Sequence, residues 1–412
     1  MARESMPAAV RWQSVSGPRA CRVTAAIRAF PMVMAHDARL NVLLLFPGPV
    51  YHLPDYFQRR LEGLSTIASG TVLLNSEKSA TAQFGEFEVL VTADDPSSRL
   101  RSWLRRFPDA IKLAEERKRS GRPFDLIVSY DPLKSGLLGW WIARRFGIPL
   151  IVEVNGDYTS RANYKDVPSR LGRALKRLAF MSVERFTLSR SRGIKLLYAT
   201  QIDAFRRASR SAVVRTFPDF VDTTRFADRG EEHVILFVGF PFFLKGVDLL
   251  IDAFRQVSDE FPDWTLKLLG WFENLDEMKA YVAGHPRIAI HRPVRHQDMP
   301  DHIGRCGIFV LPSRSEAMGR VLVEAMASGK PCIGSDVGGI PTVIRHEDNG
   351  LLFPSGDVTA LALALRTLMG DAELRRSMGH RGAEYAGTYF SPDAYFQHIA
   401  SFYQDVVATH DS

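Results

Sequence analysis

From Leu40 onward the chain alternates short apolar runs with longer stretches of helical periodicity. Asn41–Phe46 (NVLLLF) is apolar after its first residue, the pattern of a parallel strand buried on both faces. Pro47-Gly48-Pro49 breaks that run, and Asp55–Leu64 reads as a helix. Phe87–Thr92 predicts a second strand. Phe124–Ser129 and Pro149–Val154 flank the helical stretch Gly136–Phe146, a complete βαβ unit. Ser169–Leu188 predicts a basic helix and Gly193–Tyr198 a further strand.

After residues 217–231, rich in turn residues and poor in periodicity, the scheme repeats. Strand patterns fall at His233–Phe240, Thr265–Gly270, Ile288–His291, Gly307–Pro312, Pro331–Ser335 and Leu351–Phe353. Helical patterns lie between them, notably Val247–Phe261, Gly319–Ser328 and Val358–Met369. Strands alternating with helices imply parallel sheets covered on both faces. The expected fold is therefore α/β, with two doubly wound Rossmann-like domains facing across a cleft. The boundaries follow: an N-terminal domain over 39–222, a linker over 223–231 and a C-terminal domain over 232–388. Residues 389–412 are expected to form a helix able to pack back on the N-terminal domain. Ligands of such sheets bind at the carboxyl ends of the strands.

Residues 1–38 show no apolar periodicity and several arginines. They read as a disordered leader or as a start assigned too early, since Met32 and Met34 stand just before the first strand. Arg28, Pro31 and His36 interrupt any signal-peptide core. The longest apolar run, Val234 to Leu244, ends at Lys245, short of the ~20 residues that span a bilayer. Three scattered cysteines suggest neither a disulfide framework nor a zinc site, and a reducing cytoplasm is the expected location. Charge is divided unevenly. Residues 1–215 carry 35 Lys and Arg against 19 Asp and Glu, and the remainder 18 against 27. The basic half could face nucleic acid, an anionic membrane or an acidic polymer.

Two stretches carry candidate chemistry. Gly239-Phe240-Pro241-Phe242-Phe243-Leu244-Lys245-Gly246 follows a strand and opens a helix, whose free N–H groups favour an anion within reach of Lys245. Gly246 would let a phosphate approach the backbone. No Ser or Thr follows the lysine, so this is not a Walker A loop. The second stretch, Glu316 to Glu324, follows the strand Gly307–Pro312 and a Ser-Arg-Ser loop and enters the helix that starts near Gly319. A carboxylate on either side of a phosphate-binding helix start can hold hydroxyls of two sugars. Arg320, Glu324 and Ser328 also fit a plain solvated stripe at i, i+4 and i+8. The glycine pair Gly338-Gly339 at the same sheet edge favours the binding reading.

PSRSEAMGRVLVEAMASGKPCIGSDVGGIPTVI, with VGFPFFLKGVDLLIDAF before it and DNGLLFP after it, resembles the retaining nucleotide-sugar glycosyltransferases of GT-B fold, family 4 (group 1). Their two glutamates separated by seven residues match Glu316 and Glu324. PDFVDTTRF is similar to their interdomain segment, and FDLIVSYDPLKSGLLG with IPLIVEVNGDY to their acceptor-domain core; the resemblance covers about residues 40–400. It implies that Glu316 and Lys245 are the catalytic groups. Gly239, Gly319, Arg320 and Val321 would help bind the donor, Glu324 its ribose, and Pro293–Met299 its base. Gly48, Tyr130, Asn155 and Asp157 would face the acceptor.

Three positions depart from that pattern. Phe240 stands where the family usually has an arginine, leaving Lys245 to carry the diphosphate with Arg314 or Arg320. Tyr130 and Asn155 stand at its histidine positions, so no imidazole is at hand as a base. The first loop offers only Gly48 among prolines in place of a glycine pair. The resemblance implies that the leaving diphosphate itself takes the acceptor proton, so no metal and no cofactor are expected beside the nucleoside diphosphate sugar.

The expected acceptor is a glycan or a lipid-linked sugar, in cell-envelope or extracellular polysaccharide synthesis. Arg101–Arg122 and Ser169–Arg192 would add attraction to the inner face of the cytoplasmic membrane. In the second of these segments, Leu171, Leu175, Leu178 and Ser182 are expected to face the sheet and the basic residues to face solvent. Nucleic acid is set aside, because no recognition motif accompanies the charge. The alternatives are a synthase or epimerase acting on soluble sugars, or a non-catalytic nucleotide-sugar binder.

Overall fold

A computed structural model describes residues 39–47, 55–76, 79–93, 99–165, 167–271, 275–282 and 284–411. The leader, residues 1–38, and Gly48 lie outside them. The first domain holds strands β1 (Leu40–Leu45), β2 (Ala68–Ser76), β3 (Ala80–Phe84), β4 (Phe87–Ala93), β5 (Leu126–Ser129), β6 (Leu150–Val154), β7 (Gly193–Leu196) and β8 (Val213–Thr216). They form one sheet in the order β3-β4-β2-β1-β5-β6-β7-β8, parallel except for β3 against β4. The second domain holds β9 (Glu232–Val238), β10 (Thr265–Leu269), β11 (Ile288–His291), β12 (Cys306–Leu311), β13 (Cys332–Ser335) and β14 (Gly350–Phe353), ordered β11-β10-β9-β12-β13-β14.

The central strands are apolar because helices cover both faces, so neither face can afford polar side chains. Val42, Leu44, Leu126 and Val128 pack into one layer of the first domain, and Leu43, Leu45 and Ile127 into the other. In the second domain Ile235, Phe237, Ile308 and Val310 are wholly buried. That sheet grows from β9 outward to β10 and β11, and from β12 outward to β13 and β14. The connections leaving β9 and β12 therefore diverge, opening a crevice at the carboxyl edge between them.

The chain crosses between domains twice, at adjacent points. Phe217 and Phe220 belong to the first core, whereas Val221 and Phe226 belong to the second. On the return, Phe390 lies in the second core, and Tyr395, Phe396, Ile399 and Phe402 lie in the first. The Val221 N–H donates to the Phe390 carbonyl at 3.0 Å, tying the two crossings together. The helix Pro392–Asp411 thus completes the core of the first domain.

Beneath this hinge lies a buried ionic cluster. Arg60 donates to Glu153 at 2.7 Å, and Lys195 to Asp219 at 2.6 Å. The Arg60, Glu153 and Lys195 side chains are fully buried. Tyr130 and Tyr395 stack on the Arg60 guanidinium. Burial acts to raise the Asp219 carboxyl, but Lys195 and Arg60 outweigh it and hold it down at about 2.

One expectation is overturned. The helix Arg170–Leu188 does not turn its leucines to the sheet: Leu171, Leu175 and Leu178 are 70%, 58% and 63% exposed. Its inward side mixes apolar and polar groups instead: Met181 and Leu188 pack on the core beside Glu184 and Thr187. Arg173 donates to the Val167 carbonyl and Arg177 to the Thr159 carbonyl, so the helix is fixed by hydrogen bonds to the loop after β6.

Candidate functional site

The loop leaving β9 contains a single helical turn, Phe242–Lys245, stopped by Gly246 at φ 71° before the next helix, Val247–Val257. A Cβ on Gly246 would lie 2.0 Å from the Pro312 carbonyl oxygen. Gly246 therefore serves close packing of this loop on the loop after β12, and not the approach of a phosphate. That packing delivers Lys245 to the neighbouring loop, where its Nζ donates to Glu316 Oε2 at 2.5 Å.

Glu316 is held on several sides. Ser313 Oγ donates to its Oε2 at 3.3 Å, and the Ala317 N–H to its Oε1 at 3.1 Å. Its main chain lies against the glycine pair after β13. A Cβ on Gly338, itself at φ 55°, would fall 1.9 Å from the Glu316 carbonyl oxygen. Both the close approach and the left-handed backbone need glycine there. The two glycine-bearing loops thus fix the carboxylate that the sequence singled out.

The helix Arg320–Ala327 starts immediately beyond, capped by Gly319. Its first N–H groups have no partner within the helix, and with the helix dipole they favour an anion. These groups enclose a cleft of about 300 Å³, lined by Gly239, Lys245, Glu316, Gly319, Arg320 and Val321 from the second domain. Of the two arginines considered as the second cation, Arg320 lines this cleft. Arg314 does not: both its terminal nitrogens are bound to Asp248 at 2.7 Å. Phe240, at the position of the missing arginine, lines the cleft edge-on to Trp271. Burial pushes the Glu324 carboxyl above its ordinary value, while Arg320, His296 and Arg225 pull it back. Arg225 also donates to the His296 carbonyl at 3.1 Å, bringing the 293–299 segment close to Glu324.

Across the cleft stand Asn155, Leu197 and Asp219 of the first domain. Asn155 Nδ2 donates to the Tyr130 carbonyl at 3.2 Å, and its buried Oδ1 has no hydrogen-bond partner among the described residues. That oxygen is available to a hydroxyl. Tyr130 itself does not reach the cleft wall: it is 8% exposed and packs on Phe46 and Arg60. Asp157 sits at the domain junction, 3.4 Å from Ser315 Oγ, with its Oδ1 occupied by Thr159 and Ser160. Asp219 was missed from sequence, although it lies in the PDFVD segment that the sequence marked as interdomain.

A larger cavity, about 710 Å³, lies behind the second sheet and is lined by Gly307, Pro331, Lys330 and Arg375. It faces the amino ends of β12 and β13, and its two buried cations are already paired. Lys330 is bound to Asp228 and Arg375 to Glu231. The smaller cleft is the candidate site, because there a lysine, a carboxylate and a helix start converge at the carboxyl ends of the strands. Among the described residues no group of three or more His, Cys, Asp or Glu side chains could hold a metal ion, and no helix is long and apolar enough to cross a membrane.

Residues 222–385 match the family model of group 1 glycosyl transferases, and residues 79–218 that of the glycosyl transferase 4-like domain. The chain is 28% identical over 285 residues to the D-inositol 3-phosphate glycosyltransferase of Jonesia denitrificans, covering 62% of this chain and 66% of the relative. Over four such curated relatives the match spans 18% to 66% of the relative's own length. Sucrose-phosphate synthase from Thermosynechococcus elongatus superposes with a TM-score of 0.73 at 21% identity, covering 90% of this chain and 100% of the other. HepE from Anabaena, solved in complex with UDP-glucose, gives 0.69 at 18% identity, covering 89% and 100%. With paired parallel sheets and a switch-point cleft the chain has the GT-B fold, and its two halves match a glycosyl transferase 4-like domain and a group 1 glycosyl transferase domain.

Proposed function

We propose that this protein is a glycosyltransferase that moves a sugar from a nucleoside diphosphate sugar to a glycan or lipid-linked acceptor, with retention of anomeric configuration. The observation that carries the reading is the contact of Lys245 with Glu316 at the mouth of the helix start. An entering diphosphate lies beside the Lys245 ammonium, the Arg320 guanidinium and the first N–H groups of the helix. The negative charge that grows on the leaving oxygen is thereby stabilised by groups already in place. Glu316, released from Lys245, accepts from a hydroxyl of the transferred sugar, and Glu324 from the ribose. Retention follows if the acceptor attacks on the face the diphosphate leaves, the departing phosphate oxygen taking the acceptor proton. No metal or cofactor enters, because the lysine, the arginine and the helix start carry the diphosphate charge. HepE, with a similar fold, was solved with UDP-glucose, which supports a donor of this class.

The test is thermal stabilisation by UDP, GDP and ADP in the presence of a chelator. A nucleotide at 100 times its dissociation constant should add ~2.7 kcal/mol. If none of the three shifts the transition, the donor reading is wrong; if a shift appears only with divalent metal, metal independence is wrong.

The exposed leucines favour a lipid-linked acceptor over a soluble one. Leu171, Leu175 and Leu178 are flanked by the exposed Arg170 and Lys176 on one surface helix, a combination suited to an anionic interface. The protein would then be cytoplasmic and peripheral on the inner face of the membrane, in envelope or extracellular polysaccharide synthesis. It should sediment with phosphatidylglycerol vesicles and not with phosphatidylcholine vesicles, and less so at high salt. Replacing the three leucines by serine should weaken binding at least tenfold, since each buried leucine contributes ~1.5–3 kcal/mol. Unchanged sedimentation of that variant would exclude this helix as the contact.

A further inference from the structure

Beside the donor cleft lies a second, smaller cavity of about 220 Å³ that the donor reading leaves unused. Its walls come from the carboxyl ends of β6 and β7: Asp157, Tyr158 and Thr159 on one side, Tyr198 and Thr200 on the other. Glu184, from the inward side of the helix Arg170–Leu188, also lines it, and Gly338 of the second domain closes it. Glu184 is 2% exposed, yet its Oε2 has no hydrogen-bond partner among the described residues. A buried carboxyl left unpaired costs stability, and a site that keeps one is arranged for something to pair with it.

We propose that this cavity is the acceptor subsite, taking one hydroxyl-bearing ring of a neutral sugar or polyol with Glu184 hydrogen-bonded to its hydroxyls. The assignment rests on the transferase reading, since the cavity adjoins the donor cleft through Asn155, Gly156 and the Glu316–Gly338 contact. Size argues for a single ring, because the volume falls below the ~300–1,000 Å³ typical of pockets for larger ligands. Charge disfavours an anion, since the Asp157 carboxylate beside Glu184 would repel it. Burial, with the Asp157 charge adding to it, pushes the Glu184 carboxyl up to about 8. In that state the group is neutral and both donates and accepts, as a hydroxyl requires.

The charged and titratable groups around Glu184 are Asp157 after β6, Tyr158 and Tyr164 in the following loop, Tyr198 after β7, and Arg177 on its own helix. Burial raises all three tyrosines, so Glu184 is the group that titrates near pH 8.

The experiment is saturation-transfer NMR on the full chain with glucose, N-acetylglucosamine and myo-inositol as probes, at pH 6.5 and pH 9. At least one probe should bind saturably to the wild type at pH 6.5 and at least tenfold more weakly at pH 9. Glu184→Gln, which keeps a neutral donor and acceptor, should bind it equally at both pH values. Glu184→Leu should lose it, with folding verified by circular dichroism. Lys245→Ala should keep the probe while losing the nucleotide shift, which separates this subsite from the donor reading. Undiminished binding to Glu184→Leu overturns the proposal. So does binding of ammonium or potassium in place of every sugar, or the absence of any saturable probe in both the wild type and Glu184→Gln.

Discussion

Replacing Lys245 by alanine is expected to lower the transfer rate by about 10²–10³-fold, the usual effect of removing one preorganised group that faces developing charge. The same variant should lose the thermal shift given by its nucleoside diphosphate. Lys245 lines the cleft wall beside Arg320 and contacts the Glu316 carboxylate there. Glu316→Gln should also be severely impaired. The two changes together should cost much less than the product of the single effects, because each residue holds the other at 2.5 Å. Steady-state kinetics on the single and double variants form the cycle. Strictly multiplicative losses would mean that the pair does not act as a unit, and an active Lys245→Ala enzyme would remove the central element of the mechanism.

The second large effect concerns folding. Lys195→Met should destabilise the protein by about 3–5 kcal/mol, because it leaves Glu153 and Asp219 facing one another with only Arg60 to balance them. Chemical denaturation monitored by tryptophan fluorescence reads the change. The pH dependence has a definite sign. The Asp219 carboxyl is lower in the folded protein, about 2, than its ordinary 3.8. Its contribution is therefore complete above about pH 4 and is lost as pH falls toward 2. Lys195→Met should flatten that acid limb, and an unchanged acid profile would place the pH sensitivity elsewhere. The cluster also bears on function, since Asp219 reaches the donor cleft while Arg60 packs against Tyr395 of the returning helix.

What could be read from the chain followed from how local each signal is. The strands over 41–46, 233–240 and 307–312 were legible because strands buried on both faces must be apolar throughout. Glu316, Gly319 and Glu324 were legible because a strand end, a turn and a helix start fix their relative positions within nine residues. Strands β2, β3 and β8 were not. The last two are sheet edges with alternating or half-exposed residues, whose periodicity is weak. The helix Ala372–Tyr389 also gave no signal, because its buried side is built from Gly379, Gly382 and Ala386 beside Arg375 and Met378. Such small residues permit close packing but contribute little apolar contrast.

The face of the helix Arg170–Leu188 is the instructive failure. Its leucines at positions 171, 175 and 178 form an apolar stripe that periodicity assigns to the core, and they lie in solvent. Periodicity reports that a stripe exists, not which surface will cover it. Here Arg173 and Arg177 bond carbonyls of the loop after β6, and Met181 and Leu188 pack on the core, so the leucine stripe is left outward. The sequence by itself determined two doubly wound domains and brought Lys245, Glu316 and Gly319 to one cleft, since hydrophobic burial and turn chemistry act between near neighbours. Tertiary structure alone decided the Arg60–Glu153–Lys195–Asp219 cluster, the solitary carboxyl of Glu184 and the outward leucines. Those depend on which distant segments share a desolvated volume, and burial there sets both the cost and the use of a charge.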